Sequence, residues 1–190
     1  MIAENLTDEE KRTLLALARE AMEFGVRGQS LPPLDIQTLT PRLMENGVCF
    51  VTLTIDGELR GCIGGLEACQ PLVDDVREHA IAAALQDFRF PAVCADELSH
   101  IKLEISRLTL PVVLEYASPE DLLSKLRPGI DGVVLRDGAR RATFLPQVWE
   151  KLPEPTDFLA HLCYKLGAAP NLWQKKHLDV LVYQVEEFHE

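Results

Sequence analysis

The sequence predicts a mixed α+β fold of two closely packed lobes, each built around a β-hairpin followed by a helix. Two observations carry this. Apolar, β-branched runs break at Asp-Gly pairs twice, at Asp56-Gly57 and at Asp137-Gly138, and such pairs are strong hairpin turns. Around them run stretches whose apolar residues recur at helical spacing. The 190 residues suit one domain, 1–190, with lobe one over roughly 1–110 and lobe two over roughly 111–190.

Thr7 and Glu10 form a capping box ahead of an apolar stripe of Leu14, Leu17, Ala18, Ala21 and Met22, so a helix is expected over about 7–27 and stops at Gly28. Pro32, Pro33 and Pro41 make 29–41 a connecting arm. Val48–Ile55 and Glu58–Gly64 are the two strands of the first hairpin. Pro71 opens a helix to about Asp87, with Leu72, Val76, Ala80, Ala83 and Ala84 inward. Strands follow at Lys102–Leu110 and Val112–Tyr116, then a helix from Ser118 ending before Pro128. The second hairpin is Gly132–Arg136 and Ala139–Leu145. Helical segments near 146–151 and 156–167 lead to a final strand, Val180–Glu186. Both hairpins repeat one order: apolar strand, Asp-Gly, Arg, then Pro and a helix.

Composition narrows the function classes. With 47% hydrophobic and 26% charged residues, the chain is globular rather than disordered. A formal charge of −11 opposes nucleic acid and anionic membranes as partners. No basic stretch precedes an apolar run at the N-terminus, and no apolar window approaches the roughly 20 residues of a membrane span. The five cysteines, Cys49, Cys62, Cys69, Cys94 and Cys163, are odd in number and contain no CxxC pair. Reduced thiols in the cytoplasm are therefore expected. No His, Cys, Asp and Glu set shows zinc spacing, so neither metal nor cofactor is expected.

The unusual chemistry concentrates in Arg60-Gly61-Cys62-Ile63-Gly64-Gly65-Leu66-Glu67. Glycine in a strand marks close approach by a ligand or another backbone. Gly61, Gly64 and Gly65, with Arg60, are candidate ligand-binding positions for a carbonyl or carboxylate. Cys62 is a candidate nucleophile if Arg60 or a helix dipole favours its thiolate, and Glu67 a candidate proton acceptor. The competing reading is structural: with a regular two-residue turn Val51 faces Cys62, which then lies beside Val51 and Leu53 as a small buried hydrophobe. His161 is either a general base or a partly buried structural histidine. Arg89 either binds an acidic ligand or staples a helix end to the next segment. Asp74 and Asp75 complement the dipole of their helix.

Leu59-Arg60-Gly61-Cys62-Ile63-Gly64 resembles the signature of the AMMECR-type family. Five further segments extend the similarity in order: Pro71–Val76, Asp87–Pro91, Pro128–Gly132, Phe144–Val148, and Phe158-Leu159 through Lys165. The chain departs from the family pattern at Ala142-Thr143, where Gly-Leu is common, and at Leu152–Pro155, in place of a Gly-Trp pair. The resemblance implies no established activity. It does imply, as partners, a Memo-like protein and a radical SAM protein, with this chain as component A of an AmmeMemoRadiSam system. The CxxxCxxC of a radical SAM cluster is absent.

Two functions are compatible with these residues. One is a cysteine-dependent enzyme or accessory acting on an unidentified small-molecule or peptide ligand in a cleft between the lobes, with Cys62, Glu67 and His161 catalytic. The other is a non-catalytic binding or adaptor module using the same cleft for a protein partner.

Overall fold

A computed structural model describes residues 5–190. Met1–Glu4, part of the stretch read for a secretory signal, lie outside the described residues. The described residues form two compact units, one of residues 5–108 with 186–190 and one of residues 109–185.

The first unit opens with α1, Asp8–Val26, closed at its start by the expected Thr7/Glu10 capping box. A proline-rich arm with two short 3-10 turns leads to β1 (Asn46–Ile55), β2 (Glu58–Gly64), a two-residue β3 (Gln70–Pro71) and α2 (Leu72–Leu85). Asp56 and Gly57 both adopt positive φ, 52° and 83°, as a tight hairpin between β1 and β2 requires. Strand β4, Ile101–Leu108, pairs with β1 on its other side. The sheet order is β2-β1-β4-β9, with β3 also on β1. Leu14, Ala18 and Met22 of α1 and Val73, Val76 and Ala80 of α2 are buried in one core with Val51, Leu53, Leu103 and Ile105. Burying these apolar faces drives the layered packing.

Strand β9 is Val185–His189, beyond the single strand expected over Val180–Glu186. The ion pairs explain why the chain terminus joins this sheet. Glu186 binds Lys11 at 3.0 Å and Arg107 at 3.1 Å, accepts the Leu6 amide at 3.1 Å, and Glu190 pairs with Arg19. Such distant partners leave no local periodicity to read.

The second unit holds β5 (Val112–Val113), α3 (Pro119–Lys125), β6 (Gly132–Asp137), β7 (Arg140–Phe144), α4 (Pro155–Lys165), α5 (Leu172–Lys175) and β8 (Asp179–Tyr183). Its sheet runs β5-β8-β6-β7. Central β6 is buried from Gly132 to Leu135, while edge strand β5 is only two residues long, not the expected five. Trp149 stacks on Phe158 at 3.7 Å, and Phe144 meets Phe158 edge-on at 5.3 Å. Among the described residues, no helix is long and apolar enough to cross a membrane.

Candidate functional site

Strand β2 departs from the regular register that the sequence suggests. Ile55 pairs with Glu58 and Thr54 with Leu59, but Leu53 pairs with Gly61, so Arg60 is an extra residue in a β-bulge. A bulge moves every following side chain to the other face. Thr52, not Val51, therefore faces Cys62, which corrects the expectation that Cys62 packs with Val51 and Leu53. Gly61 takes the core side instead: a Cβ there would lie 2.2 Å from the Ala83 carbonyl oxygen of α2. Gly64 is equally committed to packing, since its Cβ would lie 2.4 Å from the Phe50 ring. The Gly65 amide, expected to be available to a ligand, donates to the Cys49 carbonyl at 3.1 Å.

Two charged clamps fix this strand. The Arg60 guanidinium binds Glu97 through Nε at 2.7 Å and Nη2 at 3.0 Å, and donates to the Pro91 carbonyl at 2.9 Å. A forked pair of this kind is among the stronger charge-assisted contacts. The Arg60 hydrogen bonds, with that of the Cys94 amide, lower the Glu97 pKa to about 2, and Glu97 in turn raises that of Arg60. An incoming carboxylate would have to displace Glu97 from Arg60.

The second clamp grips Cys62 itself. Its N–H donates to Asp87 Oδ2 at 2.9 Å, and its carbonyl accepts from Arg89 Nη2 at 3.2 Å. Arg89 also holds Asp87 through Nε at 2.9 Å and Nη2 at 2.6 Å, which keeps the buried Asp87 carboxylate well below its ordinary pKa. Both peptide groups of one strand residue are thus tied to a single ion pair. The Cys62 thiol is half-buried and accepts from Thr52 Oγ1 at 3.4 Å. The Arg89 guanidinium lies within reach of its side chain as well as of its carbonyl. Arg89, not Arg60, is the cation beside this thiol.

Glu67 and His161 lie outside β2. Glu67 is exposed in the bend after β2, and its carbonyl accepts from the Cys69 amide at 3.0 Å. His161 belongs to the second unit, exposed on α4, with Nδ1 2.9 Å from the Asp157 carbonyl oxygen. There it lines an apolar pocket of about 320 Å³ with Ala160, Tyr164 and Pro170.

Comparison with known proteins places this geometry in a family. The AMMECR1 family model matches residues 15–188. The chain belongs to the AMMECR1 family. A relative from Methanothermobacter thermautotrophicus is 40% identical over 186 residues, covering 97% of this chain and 96% of its own. Protein MK0488 of Methanopyrus kandleri is 38% identical over 201 residues, covering 100% of this chain and 92% of its own. The crystal structure of the uncharacterised protein PH0010 from Pyrococcus horikoshii matches with a TM-score of 0.80 at 33% identity, covering 97% of this chain and 93% of that one.

In this AMMECR1 chain the fold also assembles a set of groups that the linear motifs do not display. Cys49 on β1 and Asp75 and His79 on α2 place one donor atom each within 4.8 Å of one another. Burial, reinforced by the Asp75 charge, pushes the Cys49 thiol well up. Burial also works to raise the Asp75 pKa, but hydrogen bonds from His79 and Cys49 and the His79 charge overcome it and hold it low. The readable signal was the Asp75/His79 spacing, since residues four apart share one helix face. Residue 49 is recruited only by the packing of α2 on β1.

Proposed function

We propose that this chain works as a cysteine-dependent protein of the cytoplasm, with the Cys62 thiol as its reactive group acting on a small or peptide substrate. The observation that carries the reading is the setting of the thiol: half-buried, with the Thr52 hydroxyl at 3.4 Å and the Arg89 guanidinium beside it. A neighbouring cation and a hydrogen-bond donor are the features that favour a thiolate. The clamp on both peptide groups of Cys62 restricts its strand in the way a preorganised group requires. All five cysteines are free, which suits a reducing compartment.

Iodoacetamide labelling at neutral pH, mapped by mass spectrometry, tests this. Cys62 is expected to alkylate faster than the exposed Cys69 and Cys94, despite its lower accessibility. Arg89→Gln should slow that reaction about tenfold by removing the neighbouring cation, while Arg89→Lys retains most of it. A Cys62 that labels more slowly than Cys69, or at a rate indifferent to Arg89→Gln, ends the reading.

One observation favours a binding or adaptor module instead. Phe88, between the two clamping residues, is 95% exposed, and exposed aromatics serve as anchors for protein partners. On this reading a Memo-like or radical SAM protein seats on Phe88. Phe88→Ala then abolishes co-purification of the co-expressed partner and leaves Cys62 labelling unchanged.

A further inference from the structure

The Cys49, Asp75 and His79 group lies outside the Cys62 site and does not depend on the reading of that site. We propose that these three residues bind one zinc-class divalent cation, fastening β1 to α2 and leaving a fourth coordination position for water. Thiolate, imidazole and carboxylate are the donors that suit zinc rather than magnesium or calcium.

The geometry is close to a coordination shell. Cys49 Sγ lies 4.0 Å from His79 Nδ1, and Nδ1 lies 3.1 Å from Asp75 Oδ2. Zinc bonds of about 2.0–2.3 Å in a tetrahedron put neighbouring donors roughly 3.3–3.8 Å apart, so these two pairs need shifts of only a few tenths of an ångström, and the Cys49 and Asp75 donors lie within 4.8 Å of each other. Asp75 and His79 are one turn apart on α2, the spacing by which helices present paired ligands. The group is also braced from outside. Asp75 Oδ2 accepts the Cys49 amide at 2.9 Å, and Asp75 Oδ1 meets Gln70 Nε2 at 3.4 Å, itself anchored on Glu78 at 2.7 Å. Partners of this kind orient first ligands in metal sites.

A purely structural role accounts for less of the arrangement. Capping the Cys49 amide needs only the Asp75 carboxylate, and places no demand on a thiol or an imidazole beside it. Charge balance points the same way. One thiolate and one carboxylate neutralise a divalent cation, with a neutral imidazole as third donor, so the buried ion is compensated. The His79 side chain keeps 15% exposure, and a Cβ on neighbouring Gly65 would come no nearer than 3.5 Å to His79 Cε1. Solvent reaches the group from the His79 side.

Cobalt(II) titration followed by absorption tests the site, in a chain carrying Cys69→Ser and Cys94→Ser to remove the exposed thiols. One equivalent should give the visible bands of tetrahedral cobalt and a thiolate-to-cobalt charge-transfer band, both erased by one equivalent of zinc. His79→Gln and Cys49→Val, checked for folding by circular dichroism, should each weaken cobalt binding at least tenfold, and Cys49→Val should remove the charge-transfer band. Absence of that band in the folded parent overturns the proposal, as does its survival in Cys49→Val. If Cys49→Val fails to fold, unchanged cobalt affinity in His79→Gln overturns it alone.

Discussion

Substituting Gly61 by alanine separates two explanations of a glycine in the middle of a strand. A Cβ at this position would lie 2.2 Å from the Ala83 carbonyl oxygen and 3.1 Å from the Ala83 carbonyl carbon. Both atoms are helix backbone, so no side chain can swing aside. Relief requires β2 or α2 to move by roughly 1 Å against close-packed neighbours. Overpacking of this kind costs about 1–3 kcal/mol, and more where backbone must move. Alanine regains about 0.5–1 kcal/mol of chain entropy over glycine, so from the upper end of that range the net loss should be about 2 kcal/mol. Gly65→Ala is the control: its nearest contacts are a Val48 methyl at 3.2 Å and His79 Cε1 at 3.5 Å, which predicts a change within about 0.5 kcal/mol. Neither glycine has a positive φ, so the comparison isolates sterics. Both tryptophans, Trp149 and Trp173, lie in the second unit, so their fluorescence does not report directly on β2. Urea unfolding by far-ultraviolet circular dichroism, with hydrogen exchange at β1 and β2, reads it directly. A Gly61→Ala protein within 0.5 kcal/mol of the parent would show that helix approach does not explain this glycine, and would return it to the ligand-binding reading.

Loss of the Arg60 clamp should be pH-dependent. Glu97 falls from 4.5 to about 2 on folding, an upper limit of about 3 kcal/mol at about 1.4 kcal/mol per unit, which solvent screening reduces to about 1–2. Because the folded value is depressed, this stability is complete above pH 4.5 and vanishes as pH falls towards 2. The stability gap between parent and Glu97→Gln, from urea midpoints, should therefore shrink by roughly half or more at pH 3; a gap constant from pH 7 to pH 3 contradicts the assignment. In the second unit, Phe158→Ala removes a fully buried ring stacked on Trp149 and should cost about 3–5 kcal/mol. Trp149 fluorescence monitors that unfolding, and a loss under 1 kcal/mol would mean that the aromatic stack is not central to the unit.

Much of the fold is legible because local chemistry and final structure agree. The Thr7/Glu10 box caps α1 as its residue types demand, and Leu72, Val76, Ala80, Ala83 and Ala84 are all buried on α2, as their spacing requires. Both hairpins appear, although Asp137 pairs with Arg140, leaving Gly138 and Ala139 as the turn of the second. What escaped is whatever distant partners decide. Strand β9 forms where Glu186 meets Lys11 and Arg107, and the Cys49, Asp75 and His79 group exists only once α2 packs on β1. Periodicity reports which face of an element is apolar, and is silent on which polar groups from elsewhere converge there.

The sidedness of Cys62 shows how one such distant contact changes the chemistry. A regular ladder from the Asp56-Gly57 turn would aim Cys62 at α2, with Val51 opposite and Gly61 on the other face. That arrangement cannot close, because the α2 backbone comes so near β2 that even a methyl group would strike the Ala83 carbonyl. Only glycine fits there, so the ladder must slip by one residue before position 61. Arg60 absorbs the slip, and its guanidinium is held in the bulge by Glu97 and by the Pro91 carbonyl. The bulge, the glycine and the ion pair therefore require one another. Together they turn the thiol away from the core and towards Thr52, where Arg89 can reach it. Whether the Cys62 side chain faces α2 or Thr52 is thus tied to a carboxylate 37 residues further along the chain.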